Sequence, residues 1–61
     1  MRYKYFNRFD GEPGISINSA AVVSYFPNPM KEESVFIELS SGSTLELKTV
    51  LIEVEKWLGQ T

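Results

Sequence analysis

The sequence predicts an α+β fold: a small, twisted antiparallel sheet of four to five strands in meander order, able to curl towards a half-barrel, with one C-terminal helix packed on it. Three observations predict it. Apolar and polar residues alternate in several short runs, as in strands with one buried face. Those runs are separated by Gly, Pro, Asn and Ser, the residues that supply turn conformations. Only the last stretch, Val50 to Leu58, switches to helical spacing.

Taken in order, Arg2 to Phe9 alternates, with Tyr3, Tyr5 and Phe9 on one face and Arg2, Lys4 and Arg8 on the other, where Phe6 also falls. This predicts a half-buried strand with the first three rings in the core phase. Asp10-Gly11-Glu12-Pro13-Gly14 reads as a turn, and Ile15-Ser16-Ile17 as a short strand. Asn18-Ser19-Ala20-Ala21 is a bend, because Asn and Ser side chains bond local backbone. Val22 to Phe26 is the next strand, stopped at Pro27-Asn28-Pro29, where proline removes ladder donors. A polar loop, Met30 to Glu33, follows.

The last two strands form a hairpin whose register follows from charge and turn geometry. With a loop of Ser40-Ser41-Gly42 and Gly42 left-handed, Ile37 faces Leu45, Val35 faces Leu47, Glu38 faces Thr44 and Phe36 faces Glu46. A loop of Ser41-Gly42-Ser43 keeps the apolar phase but sets Glu38 against Glu46, which like-charge repulsion disfavours. The first register is therefore expected, with a positive φ at Gly42. In the closing helix, Val50, Leu51, Val54, Trp57 and Leu58 cover an arc of about 120°, one buried face. Thr49 is the expected N-cap and Gly59 the C-terminal stop. Ile52 falls on the polar side and has no core role.

With 61 residues the chain is one domain, spanning 1–61, and its stability is expected to be about 3–5 kcal/mol. It contains no Cys and no His. The first absence excludes disulfides and thiolate chemistry and points to a cytoplasmic location. The second removes the usual general base, the Ser-His and Cys-His arrangements and the commonest metal ligand. No signal peptide is read at the N-terminus. The longest stretch without charge, Ile15 to Met30, holds Asn18, Asn28 and two prolines and does not read as a membrane span. Ser40, Ser41 and Ser43 beside Lys48 read as a polar hairpin tip, and Glu32-Glu33 as a solvated charge run. We therefore expect no enzyme, no cofactor and no metal.

Two clusters remain. Tyr25 and Phe26 precede two prolines; only one of these rings can face inward, and the other, with Ile52, is the expected protein-interaction surface. Arg2, Lys4 and Arg8, interleaved with Phe6, form a basic strand that could hold phosphates and stack a base. Against that stands the overall balance. All eight acids lie beyond residue 9 and the net charge is −2.

From Ile15 onward, the order Ile15-Ser16-Ile17-Asn18, Val22-Val23, Val35-Phe36-Ile37-Glu38-Leu39 with Gly42, Leu45-Glu46-Leu47-Lys48 and the helix Val50–Leu58 resembles the small FlbD-like proteins of flagellar and prophage gene clusters. It is also similar to the C-terminal half of LytTR-type DNA-binding domains. The first resemblance implies an accessory protein without established chemistry; the second implies DNA contacts, with Lys48 matching a basic position. The expectation is a non-enzymatic accessory or interaction module of bacterial or phage-like origin, whose partner is another protein or a second copy of the chain, and not a membrane. Nucleic-acid binding through Arg2, Lys4, Arg8 and Lys48 is the alternative.

Overall fold

The computed structural model describes residues 2–9 and 11–59. The elements are β1 (Tyr3–Phe6), β2 (Ile15–Asn18), a 3-10 turn (Ser19–Ala21), β3 (Val22–Pro27), β4 (Val35–Leu39), β5 (Thr44–Leu47) and α1 (Leu51–Leu58). The strands divide into two antiparallel sheets, β1-β2 and β3-β4-β5. The expected α+β class, strand number and C-terminal helix are all present.

The division into two sheets has local causes. Between β2 and β3 the Asn18 side chain accepts a hydrogen bond from the Ala20 amide at 2.9 Å, closing the 3-10 turn that replaces the expected bend. After β1 the chain leaves β2 and runs beside β5. There the Lys48 amide donates to the Asn7 carbonyl at 2.8 Å and the Phe9 amide to the Glu46 carbonyl at 3.2 Å. Arg8 forms an isolated bridge to Leu47. One segment, Tyr3 to Phe9, thus stitches the two sheets together. Across the other junction, the Ser40 amide donates to the Ala21 carbonyl at 2.8 Å.

The β4–β5 hairpin has the register that charge and turn geometry predict: Val35 opposite Leu47, Phe36 opposite Glu46, Ile37 opposite Leu45 and Glu38 opposite Thr44. Gly42 sits at φ 93°, and its amide bonds the Leu39 carbonyl at 2.9 Å. Only glycine takes that φ without steric cost, which is why the loop closes there.

The core is formed by Phe6, Ile17, Val35, Ile37, Leu47, Val54 and Trp57. The helix is too short to persist alone in water and is held by this packing. Gly59, at φ 79°, ends it with its amide turned back to the Glu55 and Lys56 carbonyls. Its start differs from expectation. Val50, in extended conformation, occupies the cap position without a side-chain bond, while the Thr49 amide donates to the Leu47 carbonyl at 3.1 Å. The short link from β5 places Thr49 one residue too early to cap.

The phase of β1 is the opposite of the expected one. Phe6 is buried, whereas Tyr3 and Tyr5 are 71% and 60% exposed. The strand ends at Phe6, so Phe9 does not share its alternation and cannot set its inward face. What sets that face is Trp57. Its ring meets Phe6 edge-on at 5.0 Å, and its indole N–H donates to the Arg2 carbonyl at 3.2 Å.

Candidate functional site

The structure separates the residues of the expected protein-interaction surface. Tyr25 lies opposite Ile37 and packs, half-buried, against the core. Phe26 therefore points to the other face of the sheet, where it is 45% exposed and stacked on Phe36, ring centroids 5.2 Å apart. Ile52 is exposed on the outer side of α1, which covers the Ile37 face. Phe26 and Ile52 thus lie on opposite sides of the molecule and do not build one surface.

What surrounds Phe26 is a strand edge. β3 is the outermost strand of its sheet, and Val22 to Pro27 carries no charge. Pairing with β4 shifts between Val22 and Ser24, a bulge that leaves Val23 68% exposed. Alongside runs an open groove of about 390 Å³, lined by Ser19, Val22, Val23, Ser24, Tyr25 and Leu58. Alternation in the sequence pointed to one free ring here, but the bulge and the groove left no trace in it.

Beside Phe36 on the same outer face is a polar cluster that the sequence does not announce. Ser34 is buried, so its hydroxyl needs a partner. It donates to Glu46 Oε2 at 2.6 Å; the Asn28 amide reaches the same oxygen at 3.3 Å and the Lys31 ammonium lies 3.7 Å away. The Asn28 backbone N–H donates to the Ser34 carbonyl at 3.0 Å, so the cluster closes the β3–β4 loop. The Ser34 hydroxyl holds the Glu46 carboxyl below its ordinary value, and Asn28 and Lys31 assist against the opposing effect of desolvation. A carboxyl lowered on folding stabilises the native state above its unfolded-state value, about 4.3, and that contribution is lost as pH falls through the lowered value. The urea midpoint of the natural chain is therefore expected to drop more steeply between about pH 5 and pH 3 than that of Glu46→Gln. Parallel pH profiles would show that the cluster contributes nothing.

The basic residues are also divided. Arg2 and Lys4 line an open groove of about 450 Å³ between β1 and α1, together with Tyr3, Glu53, Lys56 and Trp57. Lys4 Nζ stands 5.8 Å from the centre of the Phe6 ring. Arg8 is half-buried at its bridge to Leu47, and Lys48 is exposed just beyond β5; neither lines that groove. Phe6, expected as the stacking ring of the basic strand, is in the core. Lys56 joins Arg2 and Lys4 through a helix position that strand periodicity has no means of indicating.

Among the described residues no three acidic side chains gather closely enough to hold a metal ion, and no helix is long and apolar enough to cross a membrane. Compared with known proteins, the chain matches no family model, no curated sequence and no solved structure.

Proposed function

We propose that the protein is a non-enzymatic accessory module that binds another protein by taking an extended segment of it along β3. The observation that carries this reading is the character of that strand: six residues at a sheet edge without a single charge. Edge strands are ordinarily blunted by lysines or inward-pointing charges, since their free amides and carbonyls invite pairing. Here the bulge at Val23 and Pro27 limit open-ended stacking but leave a short edge for one added strand. Alternate side chains of an incoming segment would meet the groove beside Tyr25 and Leu58 on one face and the Phe26–Phe36 pair on the other, the geometry by which strand addition becomes selective. The resemblance to FlbD-like proteins implies an accessory protein without established chemistry, in keeping with a non-enzymatic module.

The test is site-directed photo-crosslinking in cells that naturally make the protein. A crosslinker at Phe26 is expected to give one discrete adduct that Val23→Lys abolishes while the circular dichroism spectrum is kept. A crosslinker at Ile52 is expected to give none. Adducts at Ile52 alone, or an unchanged adduct in Val23→Lys, would overturn the reading.

A further inference from the structure

The groove between β1 and α1 has a lining distinct from that of the β3 groove and carries its own signature. Arg2, Lys4 and Lys56 converge on it, and among the described residues no carboxylate forms an ion pair with any of them. The protein as a whole is acidic, yet of the described acids only Glu53 lines this groove. A concentration of cations in an otherwise acidic chain favours an anionic occupant there, since the repelling charges are placed elsewhere.

Two features narrow the occupant. First, the backbone of Arg2 is anchored. The Arg2 amide donates to Ser19 Oγ at 3.0 Å, and its carbonyl accepts from the Ser19 amide at 2.7 Å and from the Trp57 indole at 3.2 Å. Positioning the guanidinium therefore costs little backbone entropy on binding. Second, the inverted phase of β1 turns Tyr3 and Tyr5 outward on one strand face, at i and i+2 and so about 6.6 Å apart along the strand. Tyr3 itself lines the groove. A Cβ at Gly14 would collide with the Tyr5 phenol, so the bare glycine is what lets that ring lie over the β1–β2 loop. Of the two rings only Tyr3 lines the groove, and one tyrosine face beside three cations matches a planar ring joined to phosphates. An acidic peptide would use the cations and leave the ring idle.

We infer that this groove binds single-stranded nucleic acid, with phosphates at Arg2, Lys4 and Lys56 and a base stacked on Tyr3. Duplex is disfavoured because its bases are already stacked and its phosphates lie on a wide cylinder, whereas aromatic platforms beside basic grooves take unstacked strands. The site does not use the β3 edge, so it stands or falls separately from the protein-binding role.

The experiment is fluorescence anisotropy with labelled oligo-dT and oligo-U of about ten nucleotides, at low and moderate salt, with a duplex of the same length as control and poly-glutamate as competitor. The logarithm of the binding constant is expected to fall with the logarithm of salt with a slope of about −2, as for three phosphates of a single strand. Lys56→Ala and Lys4→Ala should each weaken binding and flatten that slope by about 0.7. Tyr3→Ala should weaken it roughly tenfold with the slope unchanged, and Glu53→Gln should tighten it. Val23→Lys should bind as the natural chain does. The ratio between the two oligonucleotides tells DNA from RNA as the preferred strand. These substitutions sit on exposed side chains, and the near-ultraviolet signal of Trp57 reports that each variant is folded. No binding at low salt, equal affinity for duplex, or effective competition by poly-glutamate with Tyr3→Ala neutral would each overturn the inference.

Discussion

Trp57→Ala is expected to leave the chain without a cooperatively folded state at 25 °C. The side chain is 6% exposed, meets Phe6 edge-on and ties α1 to the first strand through its indole N–H. Truncating a buried tryptophan costs about 3–5 kcal/mol, which is as much as a domain of this size has at its disposal, about 3–5 kcal/mol. Of the helix residues only Val54 and Trp57 are fully buried, while Leu51 and Leu58 pack at the core's edge. Far-ultraviolet circular dichroism and the dispersion of amide resonances would read the loss. Trp57→Phe separates the ring from the hydrogen bond. The Arg2 carbonyl keeps its bond from the Ser19 amide, so it is not orphaned, and the expected cost is about 1–2 kcal/mol. A Trp57→Ala chain that still unfolds cooperatively, within about 1 kcal/mol of the natural one, would mean that the sheets hold together without the helix.

Gly14→Ala should be the most damaging change to a surface loop. An added methyl would press on the Tyr5 phenol and stand 2.7 Å from the Phe6 carbonyl oxygen. The phenol can swing aside, since Tyr5 is largely exposed, but the carbonyl belongs to β1 next to its pairing with Ile15. Overpacking of this kind costs about 1–3 kcal/mol. A double-mutant cycle with Tyr5→Ala divides the two collisions. Only part of the stability is expected to return in the pair, because the backbone contact persists. Full recovery would place the whole strain on the tyrosine, and no loss at all in Gly14→Ala would show that the loop relaxes freely.

The parts of the fold legible beforehand were those decided locally. In the β4–β5 hairpin, alternation, a left-handed glycine and the avoidance of Glu38 against Glu46 all selected one register, and that register is present. The helix and its stop at Gly59 were equally plain, as was the single inward ring of Tyr25 and Phe26. The phase of β1 is not legible locally, because its inward face is settled by a residue more than fifty positions away. Three aromatics in phase outweighed Phe6 on paper, whereas in space Trp57 offers one ring a partner and the break after Phe6 releases Phe9 from the count. The Ser34–Glu46–Asn28 cluster lay beyond reach for a related reason: its members sit on β5 and at the two ends of the β3–β4 loop, and ordinary serine, asparagine and glutamate there look like solvated polar residues. For the candidate surfaces, composition indicated Arg2, Lys4 and Phe26 but not how they group, since grouping depends on which strands end where.

The bond between the Trp57 indole and the Arg2 carbonyl joins positions 55 residues apart. During synthesis the first strand emerges well before the tryptophan that must cover it, and its contacts along β5 also arrive late. Covering of the first strand therefore waits on the closing of that long loop, which limits the speed of folding.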